Sequence, residues 1–279
     1  MKRQLIIFGA VLSIVSCGRA DIDSTEHKIV EWTFTAPATK ASLAPSGDFS
    51  WDKGDGIAVW NSTGGAFLEF KSVTGNSTFT ASAPDNSSFT GTAYFPYQYV
   101  TTKSDAASTF TLPSSYNAGN SLSGIGIIPM YADVEDGSNV LHFRHLCAYL
   151  TYQIPVAPAS VTRVVVKGDG VSLSGAFSLV SNAGAKEIQA SAGTSDVTVN
   201  YQLQGVAQML TFTIPIPAGR YSISYTLYAG SDEVLTRSTE EITFTRAHLY
   251  KLYDSQEKTQ YAIVGCETFN LSDDSGYWN

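Results

Sequence analysis

The stretch KIVEWTFTA, residues 28–36, alternates Ile29, Glu31 and Thr33 with Val30, Trp32 and Phe34. Successive strand residues point to opposite faces, so this period of two predicts a half-buried strand. PATKASLAPSGD then reads as a loop from its Pro, Ser and Gly content. FSWDKGDGIAVW reads as strand, turn, strand, with the turn over Asp52 to Gly56 and left-handed backbone expected at Gly54 and Gly56. AFLEFKS, STFTAS, SFTGTAYFPY and IIPMYADV follow, each short and bounded by turn residues. NVLHFRHLCAYLTYQI is longer and rich in large apolar and aromatic side chains. PVAPAS, residues 155–160, reads as a linker.

Beyond it the pattern restarts with VTRVVVKG, VSLSGAFSLV, SDVTVNYQL, QMLTFTIPI, GRYSISYTLYAG and EVLTRSTEEITFTRAHLYKLY. None of these segments carries a helical period of useful length. Short strands at regular spacing predict sandwiches or barrels. The expected fold is therefore all-β, with one sandwich over residues 28–156, a second over 157–254 and a tail over 255–279. In the tail, QYAIVGCETFNL is strand-like. It sets Tyr261, Ile263, Phe269 and Leu271 on one face, interrupted by Gly265 and Glu267, with Val264 and Cys266 on the other.

The start of the chain follows a different rule. Lys2 and Arg3 precede an apolar run of eleven residues, Leu5 to Val15. That is well short of the roughly 20 needed to cross a bilayer as a helix. A basic start, a short apolar middle and small residues at the end predict a secretory signal over residues 1–16. Ile14-Val15-Ser16-Cys17 resembles a bacterial lipobox. The resemblance implies cleavage before Cys17 and acylation of its thiol, with membrane lipid as its partner. Residues 17–27, carrying Asp21, Asp23 and Glu26, read as an acidic tether.

Charged residues are only 15% of the chain, against roughly 25% in an average globular protein. The net charge of −8 argues against nucleic acid as a partner, because phosphate binding needs a basic stripe. With Cys17 assigned to lipid, Cys147 and Cys266 remain. They are a candidate disulfide in an oxidising compartment, and Cys147 is equally at home as a buried free thiol. No Cys or His spacing suits zinc, and DKGDG lacks the ligand pattern of a calcium loop. His142 and His145 stand three apart in a predicted strand and leave opposite faces, so they form no metal pair there. No GxSxG, HExxH or P-loop occurs. The sequence thus nominates no catalytic residue, no metal site and no cofactor. His145 reads as a hydrogen-bonded core histidine. Trp60, Tyr94, Tyr97 and Tyr99 are candidate stacking platforms for host glycans.

Four stretches together resemble the fimbrillin-like family, the type V pilus subunits of Gram-negative anaerobes. TKASLAPSGDFSWDKGDGIAVW is similar to its Thr-Lys, loop, Trp-x-x-Gly-Asp-x-Ile pattern, here with Trp51, Gly54, Asp55 and Ile57. GTAYFPY resembles its strand ending in an aromatic-Pro pair. PMYADVEDGSNVLHFRHLCAYLTYQI resembles its Phe-x-His-Leu strand, with Phe143, His145 and Leu146. TFTIPIPAGRYSISYTLY resembles its Pro-x-Pro-x-Gly-x-Tyr turn, with Pro215, Pro217, Gly219 and Tyr221. The resemblance implies two tandem transthyretin-like β-sandwich domains in a surface lipoprotein. It implies fimbrial subunits, self or related, as partners. In stalk subunits of the family a protease removes the first strand, and the vacated groove accepts a strand from the next subunit. Here Lys40 and Ala41 are the matching processing site. Lys40 is the first basic residue after the first predicted strand and sits in a loop, but family stalk subunits are cut after arginine and this loop has none. The tail strand is then an edge strand of its own domain, the donor, or a tail that is loose or tethered by a Cys147–Cys266 disulfide. The rival reading is a monomeric surface lipoprotein that binds glycans or host matrix.

Replacement of Cys17 by Ser is expected to abolish incorporation of labelled palmitate and to release the protein from membranes. Mass spectrometry of the mature N-terminus checks this, and an unmodified residue downstream of Cys17 would refute it.

Overall fold

A computed structural model describes residues 27–36, 42–43, 49–103, 109–117, 128–182, 185–201, 208–254 and 263–270. Among these the regular structure is strand throughout, apart from one 3-10 turn at Tyr97–Tyr99. The first sheet has seven strands. In spatial order they are Ile29–Thr35, Thr78–Pro84, Ala66–Ser72, Gly56–Asn61, Gly91–Phe95, Met130–Val134 and Arg144–His145. Gly56–Asn61 lies mid-sheet, and five of its six residues are buried, which explains why IAVW carries no clean alternation.

Trp51 is the hub of the first core. Its ring meets Phe79, Phe95 and Phe143 edge-on at 4.8, 5.1 and 5.7 Å between centroids. Edge-to-face contact sets the positive rim of one ring against the negative face of the next. The indole N–H donates to the Ala36 carbonyl at 3.1 Å, so the apolar ring is buried without an orphaned donor. The turn that follows Trp51 closes as expected. Asp55 N–H donates to the Asp52 carbonyl at 3.1 Å, and Asp52 N–H to Asp55 Oδ2 at 2.7 Å. Gly54 has φ of +93°. Gly56 does not share that backbone. It opens a strand, and a side chain there would meet Glu69 Oε1 at 2.6 Å. That atom is the end of a flexible side chain, so a larger residue at 56 would displace Glu69 rather than strain the backbone.

The layer facing this sheet comes from elsewhere in the chain. Thr109–Leu112 pairs with Ser174–Asn182, which pairs with Ala185–Thr194. Phe110, Leu112 and Phe177 belong to the first core, and Leu179 and Ile188 pack against it. The hairpin expected in the second sandwich therefore covers the first. Ser115–Asn117 crosses the other way. It joins a five-stranded sheet ordered Asp232–Ser238, Ile223–Ala229, Arg163–Gly168, Asp196–Asn200, Ser115–Asn117. A four-stranded sheet ordered Gln208–Ile216, Ala148–Ala157, His248–Asp254, Ile263–Asn270 completes the set around the second core.

The two cores meet earlier in the chain than the composition suggests. Cys147 and Tyr149 belong to the first core, and Ala148, Leu150, Tyr152 and Ile154 to the second. The changeover falls near residue 148, inside the apolar run, not at 156–157. PVAPAS is not a linker. Residues 155–157 continue the strand Ala148–Ala157, and Ala157 and Val161 are buried. Pro155 is tolerated because the pairing with Gln208–Ile216 shifts register between Ile154 and Ala157, and proline fits a bulge that needs no N–H there. His142 also departs from expectation. It lies outside the strand Arg144–His145 and is exposed, whereas His145 is buried.

Truncation of Trp51 to Ala is expected to cost about 3–5 kcal/mol, as for large buried aromatics. Trp51→Phe should cost less, with roughly 1 kcal/mol of the difference belonging to the bond to Ala36. Urea unfolding of both variants separates the two contributions.

Candidate functional site

The opening strand Ile29–Thr35 lies at an edge of the seven-stranded sheet. It pairs antiparallel with Thr78–Pro84 along its whole length, from Ile29↔Pro84 to Thr35↔Thr78. Among the described residues its other side is held only at the end, where Thr35 N–H donates to Asn139 O at 2.7 Å and Leu141 N–H to Thr35 O at 2.8 Å. Inward, Phe34 packs edge-on to Phe70 at 5.0 Å and Phe89 at 5.7 Å, and Trp32 to Phe89 at 5.1 Å. Trp32 also donates its indole N–H to the Pro84 carbonyl at 3.2 Å. Outward, Ile29 is 61% exposed. Removing this strand together with Ala36 would bare the main-chain edge of Thr78–Pro84, uncover a floor of Phe70 and Phe89, and orphan the Trp51 indole. The proposed cut between Lys40 and Ala41 lies outside the described residues, as does the proposed lipidation site, Cys17. A cut there would leave the whole strand Ile29–Thr35 on the leader side.

The tail strand Ile263–Asn270 lies at an edge of the four-stranded sheet and pairs antiparallel with His248–Asp254 of its own chain. Phe269 stands opposite Leu249, and Ile263 opposite Asp254, across a register shift. Six steps on one strand thus match five on the other. The extra residue is a bulge in the pairing. Tyr261 and Leu271 lie outside the described residues.

The register also separates the two cysteines. Cys266 is opposite Leu252, which is opposite Tyr152, five positions beyond Cys147. At about 3.3 Å per residue that is roughly 16 Å along the sheet, whereas a disulfide needs Cα atoms within about 7 Å. Cys147 is accordingly a free, buried thiol, and burial pushes its ionisation up. The candidate disulfide is not formed.

The nominated aromatics do not make a shared platform. Tyr94 is buried, with its ring 5.7 Å from Phe67. Trp60 is half-buried against Phe67 at 5.1 Å, and Tyr99 packs toward Phe110 at 6.0 Å. Tyr97 is half-buried under the Lys103 ammonium, 3.7 Å from the ring centre. Among the described residues no group of three or more His, Cys, Asp or Glu is placed to hold a metal ion.

His145 is a core residue, as its sequence context suggested. Its Nδ1 is 2.7 Å from the Tyr149 hydroxyl. Burial, with the charge of Arg246 adding to it, lowers its pKa to about 3. Sequence reasoning missed the polar seam beside it. There Tyr131 meets the guanidinium groups of Arg144 and Arg246 and accepts the Lys186 main-chain N–H at 3.1 Å. Burial acts to raise the Tyr131 phenol, but these donors outweigh it, and its pKa is lowered. Residues 131, 144, 186 and 246 share no motif, so no local signal marked them.

The arrangement is two aromatic-rich β-cores with strands at sheet edges. No protein-family model matches the chain, and no curated protein matches its sequence. Solved structures do match its fold. It is similar to a "putative cell adhesion protein" from Bacteroides ovatus, at 12% identity and a TM-score of 0.54, over 88% of this chain and 98% of that one. A protein of the same description from Bacteroides uniformis aligns at 13% identity and a TM-score of 0.46, over 87% and 98%. The tip fimbrial protein Mfa3 from Porphyromonas gingivalis, with C-terminal truncation, aligns at 11% identity and a TM-score of 0.42, over 87% and 100%.

His145 gives a pH signature with a defined sign. Its folded pKa lies below the unfolded value of about 6.5, so below that pH the unfolded chain takes up a proton that the folded chain refuses. Stability is therefore complete above about pH 6.5 and falls as the pH drops towards about 3, by at most about 1.4 kcal/mol per unit. His145→Gln is expected to remove this slope. Urea midpoints for both proteins at about pH 7 and about pH 5 check it.

Proposed function

We propose that the chain is a cell-surface fimbrial subunit or fimbrillin-like adhesin, lipid-anchored to the outer membrane through Cys17. The observation that carries the reading is the opening strand. It is an edge strand that fills an aromatic groove, and in the sequence it precedes Lys40 and Ala41. Cleavage between those two residues detaches Cys17, the acidic tether and Ile29–Thr35 together. The vacated edge then offers a row of main-chain donors and acceptors above an apolar floor, which is what an added strand requires. The likeness in fold to a cell adhesion protein supports the same reading.

The partner in this scheme is another fimbrial subunit, of the same or a related kind. The tail is the strand available for donation, because it lies at a sheet edge. Donation in trans exchanges main-chain bonds of one kind for bonds of the same kind, so the gain must come from side-chain fit in the new groove. A head-to-tail contact of this type propagates as an open filament.

Exported protein is treated briefly with trypsin, and the new N-terminus is sequenced. A start at Ala41 accompanied by a ladder of oligomers on a gel is the expected result. Lys40→Ala should give neither, and truncation after Tyr253 should remove the ladder while leaving the monomer folded. Cleaved protein that stays monomeric and binds a glycan array would favour the rival adhesin. A truncated chain that melts well below the parent would assign the tail strand to its own domain.

A further inference from the structure

We propose that the hairpin Ser174–Asn182/Ala185–Thr194 is a strap that makes the two cores one cooperative unit. At its base the strap is part of a sheet with the first half, through Gly175↔Leu112, Ala176↔Thr111, Phe177↔Phe110 and Ser178↔Thr109. Phe110, Leu112 and Phe177 are each no more than 1% exposed. The strap therefore supplies a wall of the first core, and without it these rings would face water.

The far end of the strap is fastened. The Lys186 ammonium donates to Asp133 Oδ1 at 3.0 Å and to the Thr92 hydroxyl. The Lys186 main-chain N–H donates to the Tyr131 hydroxyl at 3.1 Å, and its carbonyl accepts from Arg246 Nη1 at 2.7 Å. One strap residue is thus held by two strands of the first sheet and by the segment leading into the closing strand His248–Asp254. Its edge is capped by side chains where no strand pairs with it.

A reciprocal crossing adds to this. Ser115–Asn117 from the first half pairs in parallel with Asp196–Asn200, and Thr198 N–H donates to Ser114 O at 2.9 Å. Each half thus completes a sheet of the other. Melting either core alone would expose the other core's wall and break both crossings.

Tryptophan placement makes the proposal testable in the full chain. Of the four tryptophans, Trp32, Trp51 and Trp60 lie in the first half, and Trp278 lies in the tail. In a Trp278→Phe background, indole emission reports the first core alone. Leu227→Ala removes a fully buried side chain from the second core. Urea unfolding is then followed by emission and by far-ultraviolet circular dichroism. The expected result is a single transition in both signals, displaced by Leu227→Ala to the same lower midpoint in each. Phe177→Ala, in the strap, should displace both signals together as well. An emission midpoint unmoved by Leu227→Ala would overturn the proposal. If Leu227→Ala prevents the second half from folding, native-like blue emission in that protein would overturn it, and red-shifted, water-exposed emission would support it.

Discussion

The architecture depends on two strands that are buried on both faces where they begin. Ala148–Ala157 and His248–Asp254 run parallel, with Tyr149 beside Leu249 and Leu150 beside Tyr250. Tyr149 and Leu249 belong to the first core, and Leu150 and Tyr250 to the second. Strand side chains alternate by geometry, so adjacent residues serve opposite cores. The start of this pair therefore has no solvent face, and its sequence cannot show polar alternation. It reads instead as an apolar run, CAYL, before Thr151 and Gln153 resume the alternation, and the buried tyrosines of the pair must find partners for their hydroxyls. Tyr149 finds His145, and Tyr250 both accepts from Thr245 N–H and donates to the Thr243 carbonyl.

The opening strand obeys the opposite constraint. It contributes one well-buried large side chain, Phe34, to a core that is otherwise built from the middle of the sheet. Burying a phenylalanine is worth about 2–3 kcal/mol, and its edge-to-face partners add a fraction of that. This is enough to hold a strand in place and small compared with the rest of the core. An edge strand of this kind can be replaced by another of similar shape without dismantling the fold. The double-faced strands cannot, because removing either would open both cores.

The sequence made strands with one solvent face easy to recognise. KIVEWTFTA announced itself by period, and the Asp52–Asp55 turn by its residues. Long-range partnership was hidden. VSLSGAFSLV reads as a strand in any sandwich, and nothing in it says that Phe177 pairs opposite Phe110 in the first core rather than in its own half. Pro155 misled for a specific reason. Proline marks chain breaks in most contexts, and here a register shift supplies a place where its missing N–H is not needed. The candidate disulfide failed because pairing depends on register, which the spacing of Cys147 and Cys266 does not encode.

The polar seam explains why two apolar cores in contact hold one relative placement. Apolar packing alone tolerates sliding and repacking, since any surface of the right shape will do. Tyr131, Arg144, Lys186 and Arg246 add directional bonds at a single position. Buried or half-buried donors left unmatched by a shift would each cost about 1–3 kcal/mol, more for the charged ones. A displacement of one residue along the strap would move the Lys186 N–H off Tyr131, its carbonyl off Arg246 and its ammonium off Asp133 at once. Such groups add little net stability over an apolar replacement, and their effect is to penalise alternatives. The cores hold the halves together, and the seam determines how.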